Sequence, residues 1–186
     1  MIKGKKLAMK FRDKPALLVK KDGKKLWVSD THALIALGKK QGQYFINKYN
    51  SYKSTPYIPE IRKEQTFVKD INKHKIKEED TIGNLIQNYQ HQKISKARLY
   101  NFCYRYHRKN CRIYKHKHGV GLIADEYSFI FEKLSSCKLY CPGLNEPLIL
   151  KESSDEEIKA LVMPLRCGDD LINDLKKLTE LTELAG

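Results

Sequence analysis

No stretch of this 186-residue chain approaches the roughly 20 consecutive apolar residues needed to cross a bilayer. That excludes a helical membrane span and makes a soluble, cytoplasmic protein with no membrane partner the expectation. The opening residues Met1-Ile2-Lys3-Gly4-Lys5-Lys6 lack the apolar core of a secretory signal. Cysteine is sparse and odd in number, five residues spread along the chain, which excludes the paired framework of a small secreted domain and leaves reduced thiols as the default. There is no glycine-rich phosphate loop, no metallohydrolase spacing and no nucleophile with its base and orienter, so neither an enzyme nor a bound cofactor is expected. Asp30-Thr31-His32 sets a carboxylate near an imidazole, and an Asp can orient a His for proton transfer, but no nucleophile accompanies them.

Negative charge is the shortage with the most consequence. Between Thr81 and Ala124 there is no Asp or Glu, while Lys93, Lys96, Arg98, Arg105, Arg108, Lys109, Arg112, Lys115 and Lys117 supply nine cations. The whole chain has a formal charge of +14, unevenly spread: residues 1–124 hold 29 Lys and Arg against 9 Asp and Glu, residues 125–186 hold 7 against 13. A polyanion, nucleic acid first, is therefore the expected partner. Each phosphate neutralised releases condensed counterions, so such binding weakens steeply with salt. Tyr100, Phe102, Tyr104, Tyr106 and Tyr114 are interleaved with these cations. They could stack on unpaired bases, but alternation of this kind also arises when one face is core and the other solvated, and that reading is preferred.

Short apolar runs at Leu7–Phe11, Ala16–Val19, Leu26–Val28 and Ala33–Leu37, with an Asp22-Gly23 hairpin signal, predict an antiparallel meander. From Lys39 to about Asp80 the pattern loosens into an insertion, with a short helix over Gln43–Tyr52 and the approach to another at Ile76–Thr81. Ile82, Leu85, Ile86 and Tyr89 fall at helical spacing, and Ser95 is placed to cap a helix carrying Leu99, Phe102 and Cys103. Beyond Cys111 the order reads as strands at Arg112–Tyr114 and Val120–Ile123, a helix over Glu126–Leu134 with the stripe Tyr127, Ile130, Phe131 and Leu134, then strands at Lys138–Tyr140, Leu148–Leu150 and Ile158–Leu165. Asp155-Glu156-Glu157 reads as a solvated turn. Leu171, Ile172, Leu175, Leu178, Leu181 and Leu184 predict a C-terminal helix. The expected fold class is α+β: antiparallel sheets with packed helices in one domain, 1–168, with a helix-rich basic insertion at about 39–110 and a helical tail at 169–186.

Cys103, His107 and Cys111 sit four apart, with His116 and His118 nearby and Cys137 and Cys141 later. Thiolates and imidazoles can hold zinc, but no pair has the two-residue gap of a zinc knuckle, and buried reduced Cys is common in cores. No metal site is assigned.

Two blocks carry a resemblance. Leu161-Val162-Met163-Pro164-Leu165-Arg166 resembles the closing strand of bacterial DNA polymerase sliding clamps, and Asp22 to Leu34 resembles the clamp strand that runs into an Asp-Gly-His-Arg-Leu turn. Thr31 stands where the family has Gly and Ala33 where it has Arg. The resemblance implies a clamp-like fold with sheets outside and helices toward DNA. It also implies a peptide cleft with His32 and Leu34 on one side and Val162, Met163, Pro164, Leu165 and Arg166 on the other. Partners would then be DNA rather than RNA and the short peptide motifs of polymerases or repair proteins. Because the family builds these walls from neighbouring domains, one-domain copies would complete the cleft by head-to-tail homo-oligomerisation. The function implied is a processivity or recruitment platform of a phage, plasmid or other divergent replication system. Val162, Met163 and Leu165 also read as plain strand-core residues, with Pro164 ending the pairing. The alternatives are a small basic nucleic-acid-binding regulatory protein of a mobile element, a clamp mimic that interferes with host replication, and, disfavoured by the missing acidic metal site, an enzyme of nucleic-acid metabolism.

Overall fold

A computed structural model describes residues 2–62, 65–70, 81–90, 94–131, 137–152 and 157–184. The chain is α+β with antiparallel strands and divides into two compact units, Met1–His91 and Gln92–Gly186. Among the described residues no helix is long and apolar enough to cross a membrane.

The first unit begins with α1 (Gly4–Phe11), then β1 (Ala16–Asp22), β2 (Lys25–Ser29) and β3 (Ala33–Gly38), then α2 (Lys39–Asn50), β4 (Thr66–Asp70) and α3 (Thr81–Gln90). Its strands lie in the order β4-β1-β2-β3, all antiparallel. The Asp22-Gly23 signal is realised as a two-residue turn between the paired Asp22 and Lys25. Gly23 adopts φ 55° there, a left-handed conformation that costs glycine little. The run Leu7–Phe11 is helix, not strand. Leu7, Ala8 and Phe11 are buried together with Gly4, the spacing of one helical face, and a five-residue apolar run is too short to separate the two periods. α1 lies close on α2: a Cβ at Gly4 would stand 1.9 Å from the Gln41 carbonyl oxygen, and the Gly4 amide donates to Gln41 Oε1 at 2.8 Å.

The second unit contains β5 (Ser95–Tyr106), β6 (Lys109–His116), β7 (Gly119–Ala124), a short 3-10 helix (Asp125–Ile130), β8 (Cys137–Cys141), β9 (Leu148–Glu152), β10 (Ile158–Val162) and α4 (Asp169–Leu184). Its strands run in the order β10-β9-β8-β5-β6-β7. Three residues past β10 the Leu165 amide donates to the Leu122 carbonyl of β7 at 2.8 Å, bridging back to the strand at the other end of that order. A residue spans at most about 3.6 Å, so the six strands curl round toward one another. α4 covers one face, where Leu175 joins Tyr100, Cys111, Ile113, Val120 and Leu122 in a buried cluster.

Three expectations are corrected here. The segment from Ser95 is a 12-residue strand, not a helix, and the Ser95 hydroxyl donates to the Cys141 carbonyl of the neighbouring strand rather than capping a helix. The helix placed over Glu126–Leu134 is a 3-10 turn of Asp125–Ile130 that buries Tyr127, Ser128 and Ile130; its expected end at Leu134 lies outside the described residues. The last strand stops at Val162, two residues before a proline that has no amide to pair. The approach helix at Ile76–Asp80 and the acidic pair Asp155-Glu156 also lie outside the described residues.

Candidate nucleic-acid and peptide surfaces

The β5–β6 hairpin carries most of the cations singled out from sequence. In β5, Lys96, Arg98, Tyr100, Phe102, Tyr104 and Tyr106 share one face by strand alternation. A bulge between Leu99 and Cys103 leaves that parity intact, since Arg98 faces Lys115 before it and Tyr104 faces Cys111 after it. α4 packs on this face through Leu175, which shares a buried cluster with Tyr100, and Phe102, Tyr104, Tyr106, Leu171 and Ile172 pack against that cluster. Tyr100 is thus core and Phe102, Tyr104 and Tyr106 are half-buried against it, and Tyr114 is buried as well.

The cations divide by neighbourhood. Arg105, Arg108, Lys109 and Lys117 are exposed, as are Lys96 and Arg98, whose guanidinium lies 5.3 Å from the Tyr100 ring centroid. Arg112 is paired with Asp125, and Lys115 donates to Glu183 of α4 at 2.6 Å. Lys93 lies outside the described residues. At the hairpin tip His107 and Arg108 adopt φ 45° and 63° between the paired Tyr106 and Lys109. A two-residue turn with both central residues left-handed favours Asn and Gly, so this tip holds a His and an Arg against local preference.

Glu183 organises the α4 end of the face. Its two carboxylate oxygens accept from Lys115 Nζ and from Tyr100 Oη, each at 2.6 Å. The Lys115 and Tyr100 hydrogen bonds hold the carboxyl below its ordinary value, and burial together with the Glu183 carboxylate pushes the Tyr100 phenol up to about 12. The leucine stripe of α4 is only half used: Leu175 and Thr179 are buried, while Leu178, Leu181 and Leu184 face outward.

The residues assigned to a peptide cleft are placed in two units. In the first, Asp30 is buried and its Oδ1 accepts the amides of His32 at 3.1 Å and Ala33 at 2.9 Å, closing the β2–β3 turn. Its Oδ2 lies 3.6 Å from Lys14 Nζ. Asp30 therefore fixes the backbone of this turn. Thr31 has φ 75°, a strained position for a β-branched residue and the one where the clamp pattern has Gly. His32 is exposed and Leu34 buried. In the second unit Val162 is fully buried, Met163 is 42% exposed, Pro164 and Leu165 are half-buried and Arg166 is exposed. Leu165 packs on the α4 cluster. Leu34 and Val162 thus serve as core of their own units, and Met163 and Arg166 are the exposed members of the set in the second unit.

The thiols do not converge. Cys103 is exposed and Cys111 buried, and because Cys103 pairs with Arg112 while Tyr104 pairs with Cys111, the two cysteines lie on opposite faces of the hairpin rather than on one helix face. Burial pushes the Cys141 thiol up to about 11. Among the described residues no three His, Cys, Asp or Glu gather where they could hold a metal ion.

Sequence reasoning passed over the first unit, which holds 20 Lys and Arg against 9 Asp and Glu, compared with 16 against 13 in the second. Its helices α1 and α2 together contain six lysines and no acid. Lys5 and Lys40 lie over the Tyr44 ring at 5.4 and 5.9 Å, and Lys48 lies over Tyr52 at 4.8 Å. The signal was present as charge per window, masked by the longer acid-free run downstream. Searches of protein-family models, of curated proteins and of solved structures find no match to this chain, so these surfaces are read from their own chemistry.

Proposed function

We propose that this protein binds nucleic acid through its basic surfaces, with the β5–β6 hairpin as principal contact. The observation that carries this reading is the hairpin end itself, where Arg105, Arg108 and Lys109 are exposed together in a segment without a single acid. Arg and Lys side chains of this kind hold phosphates and set the protein's register on the polymer without reading bases. Binding should therefore be strong at low salt, tolerant of sequence, and steeply salt-dependent. Arg105→Ala with Lys109→Ala should weaken binding of a fluorescein-labelled duplex uniformly across sequences and lower the salt slope by about two, one per lost phosphate contact. An unchanged slope in that double variant, measured by anisotropy over a salt series, removes the hairpin from the interface.

A second reading, recruitment of an apolar peptide in the manner of a sliding clamp, is favoured by Met163. It is exposed immediately after a fully buried strand residue, and a flexible thioether suits repacking around different apolar anchors. Proteins of this kind close round DNA as defined rings, so the reading expects discrete oligomers in light scattering at low micromolar concentration. A strictly monomeric protein that still binds DNA leaves the simple basic regulator as the better account.

A further inference from the structure

The first unit contains a cavity of about 570 Å³ bounded by the β1–β2 hairpin, α2 and residues 57–61. Its construction is local and traceable. Pairing of Lys25 with Gly38 brings the hairpin end beside the start of α2, and the helix rides close on β2, where a Cβ at Gly42 would stand 3.0 Å from Leu26 Cβ. The facing segment is pinned by Asn50, which donates to the Ile58 carbonyl and accepts the Ile58 amide, both at 2.8 Å. Ile58 and Ile61 are buried by this clamp, whereas Tyr57 is left 73% exposed at the lip.

The lining has three chemistries in order. Lys21, Lys24, Lys25 and Lys39 supply four cations against the one carboxylate of Glu60, and Lys21, Lys24 and Lys39 are exposed. Leu26, Ile46 and Ile58 supply apolar surface. Gln43 Nε2 donates to Asn47 Oδ1 at 2.8 Å, which leaves the Gln43 carbonyl and the Asn47 amino group for a base edge. A volume of this size lies within the range of small-molecule pockets.

We propose that this cavity is a nucleotide-binding site for single-stranded nucleic acid, with a base stacked on Tyr57 and edged by Gln43 and Asn47, and the flanking phosphates held by Lys21, Lys24 and Lys39. The assignment rests on the nucleic-acid reading above and adds a second site in the other unit. Duplex is disfavoured because its bases are already stacked, whereas an unpaired base can take the tyrosine face.

The test compares the full chain with two groove variants and the Arg105→Ala, Lys109→Ala protein against labelled oligothymidylate, oligouridylate and a duplex of equal length. Lys24→Ala with Lys39→Ala should weaken both single strands about tenfold and reduce the salt slope by about 1.4, roughly 0.7 for each single-strand phosphate contact. Tyr57→Ala should weaken single strands about fivefold or more while leaving the salt slope and duplex affinity as they were. Melting curves of both variants matching the parent exclude unfolding as the cause. A larger loss for one of the two strands identifies DNA or RNA as the source of the ligand. Full single-strand affinity in both groove variants, alongside loss in the Arg105→Ala, Lys109→Ala protein, overturns the groove and leaves the hairpin standing. A parent chain that binds no oligonucleotide at low salt overturns both.

Discussion

At the scale of single residues, His116 is the clearest misfit. It is buried beside Tyr114, with ring centroids 5.9 Å apart; its Nδ1 accepts the His118 amide at 3.4 Å, and its Nε2 has no hydrogen-bond partner among the described residues. Burial first, and His118 second, hold its pKa below the ordinary 6.5. A histidine depressed in this way is neutral in the folded state, and the unfolded chain takes up the proton first as pH falls. Stability is therefore full above about pH 6.5 and declines below it. His116→Phe keeps a flat ring and removes both the unpaired N–H, which costs on the order of 1–3 kcal/mol when buried, and the proton uptake. The variant should be more stable by about 1 kcal/mol at pH 8, with a larger advantage at pH 5.5, in urea titrations at the two values. An advantage equal at both pH values would mean that His116 does not titrate in the acid range. Thr31 is the comparable backbone misfit, a β-branched residue at φ 75° held there by the Asp30 carboxylate on the two following amides.

Elements were legible where two signals agreed. The strands expected from Arg112 onward are found as β6, β7 and β8 to β10, because each apolar run is bounded by turn residues of the right kind, whereas the helix expected among them is only the 3-10 turn Asp125–Ile130. The Asp22-Gly23 hairpin and the C-terminal helix were legible for the same reason. β5 was misread because Leu99, Phe102 and Cys103 also satisfy helical spacing, while the residues that set its period, Tyr100, Phe102, Tyr104 and Tyr106, were weighed as possible stacking platforms. α1 was misread because its buried face is completed by Gly4, a residue without hydrophobicity whose role is to let the Gln41 carbonyl approach. The outward leucines of α4 could not be assigned from spacing alone, since which side of a leucine-rich helix is buried is decided by what it meets. Here it meets the tyrosine face of β5 and the Lys115–Glu183 pair, so Thr179 is buried and Leu181 is not. Burial divides the residues assigned from the clamp resemblance into core, Leu34 and Val162, half-buried, Pro164 and Leu165, and exposed, His32, Met163 and Arg166, a division that spacing alone does not show.

Across the whole molecule, both compact units carry net positive charge, the first the larger share. The first unit carries 20 Lys and Arg against 9 Asp and Glu and the second 16 against 13. In the second, part of the positive charge is met internally, as Arg112 is by Asp125 and Lys115 by Glu183. Like charge in excess repels itself in the compact state and is relieved by screening, with a Debye length that shrinks from about 30 Å at 0.01 M salt to about 8 Å at 0.15 M. The two units should therefore respond differently to sodium chloride without any ligand present. Hydrogen exchange at the central amides of β1 to β3 should slow by about threefold between those two salt concentrations, corresponding to less than about 1 kcal/mol, while amides of β6 and β9 change little. Equal slowing in both units would point to a general salt effect. No slowing in the first unit would mean that its lysines are far enough apart, or well enough solvated, for their repulsion not to bear on folding, and its excess charge would then be a matter for partners alone.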